Sequence, residues 1–473
     1  MSNCIIDEQG HFWWYDEDYP ENHAVPEHYV TGNFKIDKAG ATTLDLDGLM
    51  PGAEGHTGYF ASVEDGQAPR AIQGVLKESG RRVLLLDAVR SGGTFHSDRF
   101  SHSEYFASFS LVGAEPPPRA AKALTFSAFD VELKGFEEWL DVGSINVVRT
   151  NRTIKLSNKR IPDLEYETSS GRLIIKHHLV DSRIGSPKHY EVALREYLSL
   201  QMHFKRGETA EGVLSELAML QNLFIVLTDS DFPLSWPTVT VTRSRRKFSL
   251  FFHRLQGSDK PPTLRNCPVR FSSIKESFGA ICGKWKSGLK EHGAGYFAFP
   301  STKRKIDQYA ENKFSNLVYG LESFHRSKFG SRPRDNALQE KIDEILSQVG
   351  TRHRRWLRGA LQFQGEPSLK ERLIALFSTL PIELNGALLD DFAKRCADLR
   401  NDIAHFGGKR TRESTADFLL VVSRLTEALS VLYHMVLLLD IGVSETHVRK
   451  WATAGHKAHA IRYHLAEAGL VKN

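Results

Sequence analysis

The chain has 473 residues, 41% hydrophobic and 25% charged. That balance excludes disordered, collagen-like and fibrous classes, and the length implies about two to four domains. Lys and Arg number 62 against 57 Asp and Glu, a net charge of +5, too small to mark a nucleic-acid protein by itself, so local clusters must carry any such reading.

The first residues hold Asp7 and Glu8 and lack a basic segment leading into an apolar one, so no secretory signal is expected and the expected compartment is the cytoplasm. Short runs at Asn33 to Asp37, Val83 to Asp87, Phe106 to Val112 and Leu173 to Lys176 are separated by Gly, Asp, Ser and Pro, the pattern of strands and turns. Alternation is clearest in Phe126, Phe129, Val131 and Leu133, and again in Val239, Val241 and Phe248 to Phe252. These runs predict strands of sandwiched or curled sheets. The aromatic cluster Phe12-Trp13-Trp14-Tyr15 fits a strand core. One helix interrupts the strands: Thr209 caps it, Val213, Leu214, Leu217, Leu220, Leu223 and Phe224 form its apolar stripe, and Asp229 closes it.

Pattern breaks at 114–118, 257–262 and 299–302 mark candidate boundaries, since each combines loss of periodicity with backbone-restricting residues. The four cysteines are scattered without a C-x-x-C pair, which indicates neither a disulfide framework nor a zinc ribbon. A set of His253, Cys267, Cys282 and His292 can be drawn, but its spacings match no compact ligand knuckle. The same holds for His447, His456, His459 and His464. No metal and no cofactor are expected.

Beyond about residue 300 helical patterns follow one another: Ile306 to Lys328, Asn336 to Val349, Arg352 to Phe363, Leu369 to Leu380, Asn385 to Phe406 and Thr415 to Asp440. Short polar connectors between them predict an antiparallel bundle. The last of these is apolar on nearly every side, so it must be covered all round by its own bundle or by a partner chain. Arg424, Glu427, His434 and Asp440 within it argue against a membrane span.

The segment Leu389 to Arg412 is the most informative. Leu389, Phe392, Cys396, Leu399 and Ile403 step by three and four and form a core-facing stripe. Lys394, Asp398, Asn401 and His405 then fall on the opposite face with Arg400 on the flank. Gly407-Gly408 supplies a left-handed stop. His405 therefore sits in the last helical turn, whose partial negative charge favours an imidazolium by up to ~2 kcal/mol and poises the ring to titrate near neutral pH. Arg400 is a fixed cation, Asn401 both donates and accepts, and Lys409, Arg410 and Arg412 lie just past the stop.

Cations, an amide and a titrating imidazole suit RNA phosphodiester cleavage without a metal. The 2′-hydroxyl is the nucleophile, His405 moves protons, Arg400 stabilises the phosphorane, and Asn401 orients the phosphate or the imidazole. DNA, lacking that hydroxyl, would be spared.

The run Arg400-Asn401-Asp402-Ile403-Ala404-His405, R-N-x-x-x-H on a late helix of an all-α bundle, resembles the HEPN superfamily. A β-rich first half followed by such a bundle resembles ApeA-type anti-phage defence proteins. The resemblance implies an endoribonuclease acting in abortive infection, with Arg400, Asn401 and His405 as the catalytic set. It also implies that the motifs of two protomers face each other in one composite cleft, and that the first half senses a phage component and restrains the nuclease. The products would carry 2′,3′-cyclic phosphate and 5′-hydroxyl ends, with transfer RNA or messenger RNA as substrate.

Plainer readings stand beside this one. His405 fits a capping histidine on a solvated helix end, Arg400 an ion pair with Asp402 or a neighbouring helix, and the bundle a non-catalytic RNA-binding or oligomerisation module. Basic clusters at 243–247, Lys284-Trp285-Lys286, 303–305 and 352–355 read either as solvated faces or as contacts to an RNA backbone, with Trp285 able to stack a base. The chain is thus expected to be an α+β multidomain protein: a β-rich sensor and regulatory region at 1–255, a basic connecting segment at 256–300 and a HEPN-like helical bundle at 301–473. Expected partners are RNA, at least one further copy of the chain and a phage-encoded trigger, with no membrane.

Overall fold

The computed structural model describes residues 4–16, 25–51, 69–94, 96, 101–118, 124–181, 193–304, 308–330, 336–361, 366–406 and 414–471. The chain divides into two compact units. The first comprises 1–137, 141–218 and 233–257; the second comprises 138–140, 219–232 and 258–473.

The first unit is built on antiparallel strands. Six of them are β1 (Cys4–Trp14), β2 (Val30–Asp37), β3 (Thr42–Leu46), β4 (Arg70–Leu76), β5 (Arg82–Thr94) and β6 (His102–Gly113). They are ordered β6-β3-β2-β1-β4-β5, and β5 pairs back onto β6 along its length, so the ring closes. Closure removes the exposed edges that an open sheet would present. Alternate residues of each strand point inward, and Phe12, Phe34, Ile36, Leu44, Ile72 and Leu85 meet there fully buried. Trp13 is buried as well, while Trp14 is half-buried and donates its indole N–H to the Pro51 carbonyl.

The second half of β6 also pairs with β14 (Lys247–Phe252), which continues the sheet outward. Next to it lie β13 (Thr238–Val241), β7 (Phe126–Glu132), β12 (Leu194–Glu208), β11 (Gly171–Asp181) and β10 (Leu164–Glu167) in that order. A separate hairpin pairs β8 (Ile145–Arg149) with β9 (Ile154–Asn158).

In chain order the helices are α1 (Glu137–Leu140), α2 (Ala210–Thr228), α3 (Phe271–Ile274), α4 (Phe278–His292), α5 (Ala294–Lys303), α6 (Ala310–Phe329), α7 (Asn336–Gln348), α8 (Thr351–Ala360), α9 (Leu369–Phe377), α10 (Gly386–Phe406), α11 (Thr415–Asp440), α12 (Glu445–Ala454) and α13 (Ala458–Glu467). Helix α2 starts where expected: the Thr209 hydroxyl accepts the Gly212 N–H at 3.3 Å. It stops at Asp229, whose φ of 52° lies in the left-handed region.

The segment 256–300, read as a connector, instead holds α3, α4 and most of α5 and folds with the second unit. Pro300, taken as part of a boundary, lies inside α5. The second unit also includes 219–232, the end of α2 and the loop after it. The Trp285 indole N–H donates to the Met219 carbonyl at 3.0 Å, and Arg304 donates to the Asn222 side chain at 2.6 Å.

Helices α6 and α11 lie side by side. Gly320 of α6 makes this possible, since a Cβ there would stand 2.4 Å from the Tyr433 hydroxyl and 2.6 Å from Ala298. Both α2 and α11 are long and apolar enough to cross a membrane, and more than half of each such window is buried in the fold. The polar groups of α11 have work inside the unit. Arg424 pairs with Glu467 at 2.8 Å, Glu427 pairs with Lys313 at 2.9 Å, and Asp440 bonds to Tyr296 and Lys328. Its own bundle covers only part of it: Leu419, Leu420 and Val421 in its first two turns are exposed, whereas most residues from Val422 onward are buried.

A buried charge cluster ties the second unit together. Asp229 is met by the Lys303 ammonium at 2.9 Å, the Lys457 ammonium at 2.7 Å and the His434 ring at 3.9 Å, while His434 Nε2 lies 2.6 Å from the Val226 carbonyl. Burial lowers the His434 pKa from 6.5 to about 4; Lys303 and Lys457 push the same way, against Asp229. The unfolded chain therefore takes up a proton below 6.5 that the folded chain accepts only near 4, and stability falls as pH drops through that window. Asp229, held far below its ordinary value of 3.8 by the neighbouring cations despite burial, adds its own loss only in stronger acid. The melting midpoint is expected to fall between pH 6.5 and 4 in the native protein, and less steeply in His434→Gln. Equal slopes in a thermal melt series would remove His434 as the cause.

Candidate functional site

Helix α10 carries the predicted motif, and its phase is fixed by burial. Leu389, Phe392, Cys396 and Leu399 are buried; Ile403 is half-buried. Phe392 packs against Phe377 of α9 with ring centroids 6.4 Å apart. Burying one such side chain contributes ~1.5–3 kcal/mol, so four on one stripe outweigh any surface pairing in setting the helix rotation. Burial also drives the Cys396 thiol far above its ordinary value, which leaves it protonated and inert. The opposite side follows from this phase: Lys394, Asp398 and Asn401 are exposed, and Arg400 is 40% exposed on the flank.

Arg400 reaches two partners. One Nη donates to the Asn401 side-chain oxygen at 3.2 Å, and the other lies 3.6 Å from Glu322 of α6. Glu322 was not singled out in the sequence. Its other oxygen holds Arg326 at 3.0 Å; Arg326 meets Glu366 at 3.2 Å, and Glu366 meets Arg372 of α9 at 2.9 Å. Arg372 is buried at 2% exposure, donates to the Pro367 carbonyl at 2.8 Å and lies 3.4 Å from His325. Arg400 thus ends a ladder of alternating charges joining three helices, and its own rung is the longest. The signal for Glu322 and Arg326 was an i, i+4 acid–base pair on a predicted helix.

Position 405 lies one turn beyond Asn401 in α10. The side chain of His405 and all of 407–413, which include the Gly-Gly stop, Lys409, Arg410 and Arg412, lie outside the described residues.

The second predicted group is altered by the fold. Trp285 is fully buried, with its ring 4.8 Å from Tyr296 and its N–H bonded, so it does not present a face to a base. Lys284 is exposed and Lys286 half-buried on the same helix. The stripe Phe278, Ile281, Cys282, Trp285, Gly288 and His292 is buried at helical spacing. That periodicity is the signal which the flanking lysines concealed. Among the described residues an exposed tryptophan beside cations occurs instead in α8, where Trp356 is 73% exposed and Arg352, Arg355 and Arg358 are exposed.

No three His, Cys, Asp or Glu among the described residues come together as a metal site. In the set once drawn for zinc, Cys267 donates to the Thr263 carbonyl and is pushed by burial to about 12, while His292 bonds to Ser327 at 2.8 Å.

A ring of strands with a sheet extension, followed by a helical bundle bearing an outward Arg-Asn turn, defines a two-part protein with an all-α carboxyl-terminal domain. Comparison with known families agrees. Residues 7–285 match ApeA N-terminal domain 1 and residues 315–447 match Apea-like HEPN. The chain belongs to the ApeA family, and its carboxyl-terminal domain is of the HEPN type, a class of ribonucleases with a role in defence. No curated protein and no solved structure matched.

The ladder separates two kinds of arginine. Arg400→Ala removes an exposed pair worth at most ~1 kcal/mol, so the melting midpoint should shift by no more than about 4 °C. Arg372→Ala leaves Glu366 without its buried partner and should cost ~3–5 kcal/mol. A large loss of stability from Arg400→Ala in calorimetry would show that its role is structural.

Proposed function

We propose that this chain is a metal-independent endoribonuclease of the cytoplasm that cleaves transfer RNA or messenger RNA by attack of the 2′-hydroxyl, and that it acts in abortive infection against phage. Its β-rich region restrains the nuclease until a phage-encoded trigger arrives. The observation that carries the reading is the outward turn of α10: a stripe of buried apolar residues leaves Arg400 and Asn401 at the surface, one turn before position 405, within the part of the chain that matches the HEPN family.

In the proposed step one His405 takes the 2′-hydroxyl proton as base and a second, protonated His405 gives one to the leaving 5′-oxygen, each role typically worth ~10²–10⁴-fold. Arg400 neutralises the charge that grows on the phosphorane. Asn401, already bonded to Arg400, holds the guanidinium toward the phosphate. Lys284, Lys286, Lys409, Arg410 and Arg412 would contact the RNA backbone. The face of α8 bearing Trp356 takes the stacking role first assigned to Trp285.

One chain supplies a single histidine and a single arginine from this motif, whereas acid and base are both needed. A second copy completes the set, and the exposed Leu419, Leu420 and Val421 on the helix that follows the motif give it apolar surface to bury.

The basal cleavage of total RNA that restraint leaves in the purified protein is expected to survive EDTA and to fall by about 10²-fold or more in His405→Ala and Arg400→Ala. Because the resting protein is restrained, growth arrest on overexpression is scored with the same variants. Undiminished cleavage or toxicity in His405→Ala would contradict the assignment. Leu420→Asp is expected to convert the dimer to monomer in sedimentation and to abolish cleavage. An active monomer would overturn the two-chain site.

A further inference from the structure

The hairpin of β8 and β9 stands apart from the long sheet, and its composition is not that of an ordinary solvated loop. Five of the sixteen residues from Ile145 to Arg160 are Lys or Arg, and none is acidic or aromatic. Among the described residues β8 and β9 pair only with each other. Two strands alone are marginally stable in water, and this pair is held at its root. There the Glu196 carboxylate of β12 accepts the Ser144 N–H at 2.8 Å and the Ile145 N–H at 3.3 Å.

The hydrogen-bond phase of the hairpin decides which backbone groups stay open. At the tip Thr150 donates its N–H to the Thr153 carbonyl at 2.8 Å, and at the root Lys159 donates to the Ser144 carbonyl at 3.3 Å. Antiparallel pairs alternate between bonded and non-bonded. The non-bonded pairs are therefore Ile145 with Asn158, Val147 with Leu156 and Arg149 with Ile154, and each of these residues turns its N–H and C=O away from the other strand. On β8 the Ile145 N–H is taken by Glu196. On β9 Ile154, Leu156 and Asn158 point theirs outward, and among the described residues nothing receives them.

The side chains along that edge sort by face. Ile154 and Leu156, 68% and 39% exposed, lie on one side, with the exposed Val147 across from Leu156. Lys155 and, just past the strand, Lys159 lie exposed on the other. Lysine on an edge is the usual guard against unwanted pairing. Here it guards one face only and leaves an apolar strip on the other, so the edge refuses a basic strand and suits an acidic one.

We propose that the outer edge of β9 captures an extended acidic segment of a protein partner as a third strand. Alternate apolar residues of that segment lie beside Ile154 and Leu156, and the acidic residues between them face Lys155 and Lys159. Backbone bonds supply the affinity and the lysines the selection. A protein segment is favoured over a nucleic-acid strand because the exposed side chains between the cations are aliphatic and offer no ring on which a base stacks.

Fluorescence anisotropy with the full-length protein tests this. The labelled probes are a decapeptide alternating valine and glutamate, the same peptide with lysine in place of glutamate, and an oligouridylate; phosphatidylglycerol vesicles are tested by co-sedimentation. The acidic peptide is expected to bind and the basic one not. Lys155→Glu combined with Lys159→Glu should weaken the acidic peptide by about tenfold or more and admit the basic one, a reversal that misfolding does not produce. Leu156→Pro removes an outward N–H at an edge position, where proline is tolerated, and should weaken the acidic peptide with both lysines in place. No binding of the acidic peptide up to millimolar concentration, or binding left unchanged by the lysine reversal or by Leu156→Pro, would overturn the proposal. Binding of the oligouridylate or the vesicles through the same lysines, with none of the acidic peptide, would overturn it in favour of RNA or a membrane. The readout is independent of RNA cleavage, so its failure leaves the nuclease reading intact.

Discussion

The rotation of α10 about its own axis is the constraint from which the functional surface follows. Four buried side chains on one stripe leave that helix a single phase, and the phase alone delivers Arg400 and Asn401 to solvent. No ion pair could do this, because the Arg400 rung to Glu322 is long and exposed. The interior rungs at Arg372 and Glu366 instead tie α9 to the segment before it, and Arg326 carries the connection to α6. The ladder thus holds one buried arginine, Arg372, and two largely exposed ones, Arg326 and Arg400.

The second unit shows the same economy in its buried charges. Asp229 closes α2 in a left-handed conformation and gathers Lys303, Lys457 and His434 from three other parts of the unit. A carboxylate in such a place is tolerated only because cations surround it. The polar residues of α11 that argued against a membrane span have comparable duties, each with a partner inside the fold.

Much of this was legible in the residues. The helices from 310 to 440 begin and end close to their predicted limits, because their apolar spacing is local and their caps are explicit; Ser414 and Asp417 close the start of α11 as a capping pair should. The Arg400 to Ile403 turn was placed correctly for the same reason. Ring closure was not legible, since β5 and β14 both choose β6 as partner by long-range register that no local pattern encodes. Trp285 was misread because two lysines flank a residue whose own neighbours at helical spacing are all buried. Glu322 and Glu366 escaped notice because their meaning depends on arginines that only the packing of α6, α9 and α10 brings near.

The account rests on one chemical claim, that the nucleophile in RNA cleavage is the substrate's own 2′-hydroxyl. After the cut site has been mapped in an RNA, a single 2′-deoxy substitution at the ribose on the 5′ side of the scissile phosphate tests it most directly. The account predicts that this one change abolishes cleavage at that phosphate while neighbouring sites are cut as before. Cleavage of the deoxy-substituted site at the native rate would contradict it.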